Sequence, residues 1–199
     1  MPLSLSGTTG IVTGNIAALQ VTTATIADAN VTPGKLSQPM TLGTAKAYNW
    51  NGLTTNTSLD FTGIPSWAKR ITVMLNGVST SGISNIVLRL GTSSGIATTG
   101  YISVMNALYS SIQVFQDSTG FPILIPAAAD THGGNVTISS FGSSNTWTVS
   151  GVVAASSPIA FTTSGYSPNL GGTLDRIRLT MANGTDAFDG GSVNIMYEG

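Results

Sequence analysis

Only one histidine stands in the 199-residue chain, His132, within Asp130-Thr131-His132-Gly133-Gly134. An imidazole two residues from a carboxylate could be oriented by it or share a metal with it. A metal site needs three or four converging ligands, however, and a single His supplies them only where copies meet on a symmetry axis. His132 is therefore expected to be an ordinary loop histidine. Asn183, Asp186 and Asp189 place oxygens on a glycine-rich stretch, faintly like a calcium loop. The closing Glu and the tighter oxygen spacing of an EF-hand are missing, so a solvated turn is the expected reading.

The chain has eight carboxylates in all, and a glycosidase needs two of them held across a cleft. Asp60, Asp117 and Asp175 could pair in space, yet no two read as such a pair in sequence. Asp175 beside Arg176 and Arg178 is expected to form a strand-surface or intersubunit ion pair. With no cysteine, one histidine and no nucleophile-elbow motif, Ser/His/Asp and thiol chemistry are both poorly supported. No catalytic residue, cofactor or metal site is expected, and the chain is read as not an enzyme.

Charged residues make up only 8% of the chain and the formal net charge is −1, so no basic surface is available for phosphates. Nucleic-acid binding is not expected as the main activity. No apolar run approaches the roughly 20 residues of a membrane span, and the Met-Pro-Leu-Ser-Leu-Ser opening lacks the pattern of a signal peptide, so a soluble chain made in a cytoplasm is expected. Positive mean hydropathy with few charges leaves two explanations: a surface of Ser, Thr, Asn and Gly, or a surface partly hidden in an oligomer.

The elements that must position these residues are organised around residues 59–90. Two β-rich runs, 70–75 and 85–90, are joined by a Gly/Ser/Thr/Asn connection, with Gly63-Ile64-Pro65-Ser66 turning the chain just before them. Strands are expected near 45–49, 57–61, 69–76, 85–90, 100–105, 112–115, 135–141, 147–155, 159–163, 174–180 and 192–197. Short strands at this cadence, with no helical period, predict an all-β fold: a jelly-roll-like sandwich of two sheets. The alternations Ile71/Val73/Leu75, Ile86/Leu88/Leu90, Trp147/Val149 and Leu174/Ile177/Leu179 supply core faces, the last with a slip that predicts a bulge.

Ahead of this head, Ile11, Ile16, Val21, Ile26, Val31 and Leu36 recur at a constant spacing of five. That period fits neither the 3.6 of a helix nor the 2 of a strand. A five-residue β-solenoid is one candidate, but so few repeats cannot bury a core alone. Three chains around a shared axis would each add one apolar side chain per step, in contrast to a disordered tail with accidental spacing. The expected organisation is a fibrous trimeric stem over residues 1–44, with 41–47 as connector, and a β-sandwich head over residues 45–199.

Phe61-Thr62-Gly63-Ile64-Pro65-Ser66-Trp67 followed by Lys69-Arg70-Ile71-Thr72-Val73, then Thr98-Thr99-Gly100-Tyr101 and Gly172-Thr173-Leu174-Asp175-Arg176-Ile177-Arg178-Leu179, with Asn183-Gly184-Thr185-Asp186 and Val193-Asn194-Ile195, resemble a module of tailed-bacteriophage fibre and appendage proteins. The leader from Ile26 to Leu36 is similar to repeats in trimeric fibre stems. The resemblance implies a homotrimeric virion protein, assembled in the host cytoplasm, whose N-terminus meets other phage virion proteins and whose head meets a host cell-surface glycan or protein. A purely structural connector or decoration protein is the other reading.

Were the head to hold a glycan, Trp50, Trp67, Trp147, Tyr101, Tyr109 and Tyr166 are the natural stacking aromatics. Trp67 and Trp147 read as core. Tyr109 and Tyr166, with Ser94, Asn106 and Asn169 on loops 92–99, 106–111 and 164–171, are the expected receptor-binding residues.

Overall fold

The computed structural model describes residues 41–43, 46–47, 56–108 and 111–199. The chain divides into two units, Met1–Ser37 and Gln38–Gly199, and the second is the one described below. Ile11, Ile16, Val21, Ile26, Val31 and Leu36, together with Trp50 and Tyr109, lie outside the described residues.

The described residues form fourteen strands and two antiparallel sheets, so the fold is all-β. The strands are β1 (Thr41–Leu42), β2 (Lys46–Ala47), β3 (Ser58–Thr62), β4 (Arg70–Thr80), β5 (Ile86–Thr92), β6 (Gly95–Ile96), β7 (Ile102–Leu108), β8 (Ile112–Asp117), β9 (Phe121–Ile123), β10 (His132–Ser140), β11 (Trp147–Ala155), β12 (Ile159–Tyr166), β13 (Arg176–Met181) and β14 (Phe188–Glu198). The larger sheet runs β1-β14-β4-β10-β11-β12-β7-β8, with β2 also on β14; the smaller runs β3-β13-β5-β6, with β9 also on β5. The order β1-β14-β4-β10 in the larger sheet and β3-β13-β5-β9 in the smaller is the connectivity of a jelly roll. The β11–β12 hairpin and then β7 and β8 extend the larger sheet beyond β10.

Period-2 patterning decides which face is inside. Ile71, Val73 and Leu75 of β4, Val136 and Ile138 of β10, Val149 and Val153 of β11, and Met105 of β7 are buried from the larger sheet. Leu59, Phe61, Leu88, Leu90, Ile177 and Leu179 are buried from the smaller, and all belong to one hydrophobic cluster. On the outer face of the smaller sheet, Arg178 lies directly opposite Asp60 and holds it through two bonds of 2.6 Å, Nε to Oδ1 and Nη2 to Oδ2. Both side chains are more than a third exposed, so the pair contributes no more than about 1 kcal/mol.

Several expectations are corrected. Residues 41–47 are not a bare connector: Thr41 pairs with Tyr197, Leu42 with Met196, Lys46 with Val193 and Ala47 with Ser192, so strand pairing begins ahead of residue 45. The slip at Leu174 is not a bulge, because β13 starts at Arg176 and pairs with both neighbours without a shift, while Leu174 is buried just before it. The bulges fall elsewhere, between His132 and Gly134 and twice between Phe188 and Ser192, where β10 and β14 flank β4. Gly77 does not end a strand; β4 continues through it to Thr80.

Candidate functional site

The groove lined by one of the expected receptor residues, Ser94, begins at the β5–β6 hairpin. Gly91 pairs with Ile96 and Thr92 with Gly95, so the turn projects Ser93 and Ser94 beyond the sheet. Ser94 N–H donates to Thr92 Oγ1 at 3.2 Å and Ala97 N–H donates to the Leu90 carbonyl at 2.9 Å. Tyr101, only 2% exposed, locks the base: Leu90 N–H donates to its hydroxyl at 2.8 Å, and the hydroxyl donates to the Ala97 carbonyl at 3.0 Å. Burial pushes the phenol up to about 12, opposed by the Leu90 bond and the Arg89 charge, so it remains a donor at any physiological pH. Its ring meets Phe121 edge-on at 5.2 Å, which removes it from the stacking candidates.

The opposite wall is the loop leaving β12. Ser167 N–H donates to the Trp147 carbonyl at 2.8 Å and accepts Trp147 N–H on its hydroxyl at 3.0 Å, fixing the point at which the loop departs. Leu170 N–H donates to the Asn145 carbonyl at 3.2 Å, and Gly171 N–H to Asn169 Oδ1 at 2.8 Å. Between the walls lies a groove of about 220 Å³ lined by Gly91, Thr92, Ser94, Gly95, Ile96, Ala97 and Leu170. Asp175 and Arg176 adjoin it: Arg176 Nε donates to Asp175 Oδ1 at 2.8 Å and Nη2 reaches the Ser93 carbonyl at 3.4 Å. Both are a little over a quarter exposed, so their polar ends can still meet a ligand.

Ser94 thus stands in the groove wall, Asn169 adjoins Leu170 in the facing wall, and Tyr166, 45% exposed, is the last residue of β12 before that loop. Two loop assignments are corrected, since Tyr166 and Asn106 both lie within strands. Asn106 pairs with Thr162 whereas Tyr166 pairs with Ile102, so Asn106 sits four residues, roughly 13 Å, along β7 from this end. Sequence reasoning did not single out Leu170, Ile96 or the Asp175–Arg176 pair as groove residues. The Asp-Arg-Ile-Arg pattern was the available signal, and it read as an ion pair without a location.

A second cavity of about 120 Å³ has Lys69, Ser140, Asn145, Trp147 and Thr173 among its lining residues. Trp147 is 6% exposed there, and Trp67 packs on Tyr197 with centroids 5.6 Å apart. In the Asn183 loop the oxygens bind protein: Asn183 Oδ1 accepts from Thr185 and Asp186 N–H, and Asp186 Oδ2 accepts from Ser84 N–H, all at 3.0 Å. Asp189 accepts from the Ser79 hydroxyl.

His132 is corrected most strongly. It lies on β10, fully buried, with Nδ1 donating to the Val78 carbonyl at 3.0 Å, its ring 6.0 Å from Phe161, and Nε2 without a hydrogen-bond partner. Burial lowers its pKa, outweighing the Val78 bond and the Asp130 charge, which act in the other direction. The nearby Asp130 carboxylate is held below its ordinary range, first by the Ser157 hydroxyl at 2.7 Å. Below about pH 6.5 an unfolded histidine takes a proton that the folded one refuses, so stability falls as pH drops from there through the folded pKa. Unfolding free energies from urea titration are expected to hold steady between pH 8 and 7 and then decline, by up to about 1.4 kcal/mol per pH unit. His132→Gln is expected to flatten that decline between pH 6.5 and 5.

Comparison with protein-family models, with curated proteins and with solved structures finds no match for the chain.

Proposed function

We propose that this chain is a bacteriophage fibre or appendage protein, a homotrimer that attaches to a host cell-surface glycan or protein through the loop end of its β head and performs no catalysis. The observation that supports this reading best is the groove between loops 93–97 and 167–172. It combines hydroxyls from Thr92 and Ser94, apolar ground from Ile96 and Leu170, and the adjoining Asp175–Arg176 pair. Sugars are held by this mixture, hydrogen bonds to their hydroxyls and apolar contact with their C–H faces, and rigid scaffolds with projecting loops suit such recognition. The basic side chains of the smaller sheet are engaged: Arg178 by Asp60, Arg176 by Asp175, and Arg89 Nε by the Thr119 carbonyl at 2.8 Å. This favours a neutral ligand over nucleic acid.

Three weak sites on one trimer act together, so modest affinity per head suffices for adhesion. The full chain, fluorescently labelled, is expected to adsorb to host cells. Tyr166→Ala and Asn169→Ala should each weaken one head about tenfold, and the trimer by considerably more. A wild-type chain that adsorbs to no host cell, yet is found in virions, supports the structural connector instead. Release of oligosaccharide on binding would contradict the non-enzymatic part of the proposal.

A further inference from the structure

We infer that the outer face of the larger sheet at its β8 end is covered by a second copy of this chain. The inference rests on the homotrimeric reading above and adds the surface on which the heads meet. Among the described strands β8 pairs with β7 alone, and its first five residues are exposed on both faces. Ile112, Val114 and Phe115 are 70%, 59% and 39% exposed. Edge strands of soluble monomers are ordinarily guarded by Lys, Pro or a bulge. The β8 sequence Ile-Gln-Val-Phe-Gln-Asp holds neither residue, and it follows β7 without a register shift.

The apolar edge continues onto the sheet. Val114 stands opposite Asn106, which faces Thr162, which faces Val152, itself 57% exposed. In the next row Ala160 and Ala154 pair and are exposed. Asn106, expected from sequence to bind the receptor, belongs to this surface rather than to the loop groove.

Charge identifies the occupant. From β14 to β8 the outward positions of the larger sheet carry only Arg70 and Glu198, which neutralise each other in an ion pair. The smaller sheet's outer face carries the Arg178–Asp60 and Arg176–Asp175 pairs and, in excess of them, the charge of Arg89, whose Nε donates to a neutral carbonyl, so copies meeting there would bring like charges together. Turned toward a threefold axis, three copies of a neutral, apolar-rimmed face meet without leaving a charge unpaired, and further copies are present in fixed proportion wherever the chain is. Five strands about 4.8 Å apart and seven residues at about 3.3 Å each give a plane of roughly 550 Å² from β10 to β8. A standard interface buries about 800 Å² per partner, and the open edge of β8 adds to the plane.

The chain lacks cysteine, so Val114→Cys supplies a lone thiol on this face and Thr62→Cys one at an exposed position on the other sheet. Light scattering of the full chain is expected to give an oligomeric mass. In that assembly a maleimide should label the Val114→Cys variant at least about tenfold more slowly than the Thr62→Cys variant, as burial requires, with equal rates in urea and after dilution to monomers. Ile112→Cys should behave like Val114→Cys. Equal rates in an intact oligomer overturn the docking surface and leave the trimer standing. A Val114→Cys thiol that stays slow after dissociation also overturns it, because the chain's own residues would then be the cover. A full chain running at 20.3 kDa overturns both readings.

Discussion

Phe161→Ala is expected to destabilise the head by about 3–5 kcal/mol, a large share of the 5–15 kcal/mol available to a typical domain. Phe161 is 1% exposed on β12 and stands opposite Val153 on one side and Ala107 on the other. Both neighbours are small or medium, so neither can swing into the space that the ring leaves. The cost is therefore expected toward the upper end, with a melting temperature lower by roughly 10 °C. The substitution also removes a wall from His132, whose ring lies 6.0 Å away. Water admitted there would weaken the desolvation that lowers the His132 pKa, bringing it back toward the ordinary value. Urea titrations of Phe161→Ala at pH 7.5 and 5.5 should thus show a large loss at both, with a smaller difference between the two than in the wild type. A loss below about 1 kcal/mol at pH 7.5 would mean that Phe161 is not the keystone of this side of the core.

Where burial follows a clean period of two, the sequence was enough. The inward residues in the first half of β4 and at the start of β11 are those expected, and β11 spans Trp147–Ala155 as read, whereas β5 also buries Val87 between the expected Ile86 and Leu88. Elements stabilised mainly by their neighbours were not legible. β9 is only Phe121–Ile123 and contains Pro122, yet Val87 and Leu88 hold it as an edge of the smaller sheet. β1 is two residues whose strand character comes from Met196 and Tyr197. His132 was misread because Gly133-Gly134 suggests a turn, whereas here the glycines accompany a bulge within a long strand. The groove shows the same limit. Ser94, Asn169 and Tyr166 were singled out as exposed polar or aromatic residues, but nothing local to 96, 170 or 175 tells that the register of β5, β6 and β13 brings them together.

Gly165→Ala is the sharpest test of how that register positions the loop end. Gly165 lies in the middle strand of three, opposite Ser103 on β7 and Val149 on β11, at φ 149°. L-residues rarely adopt this conformation, and forcing one into it costs about 1–3 kcal/mol. A Cβ there would also collide with the Ile102 carbonyl oxygen and stand 2.7 Å from Ser103 Cα, both backbone atoms of a paired strand that cannot rotate aside. The added overpacking brings the expected loss to about 2–6 kcal/mol. Relief requires β7 and β12 to separate at the Ile102–Tyr166 pair, which moves Tyr166 and the loop wall carrying Asn169 and Leu170. Gly172→Ala is the matched control in the same loop region. Its Cβ would meet Thr92 Cγ2 at 3.5 Å, an ordinary contact, and the change should stay within about 0.5 kcal/mol. If urea unfolding shows the two variants equally stable, the strand register at this loop end is not as described. If Gly165→Ala is destabilised but, while still folded, adsorbs to host cells as well as the wild type does, the wall formed by 167–172 is not where the proposed receptor binds.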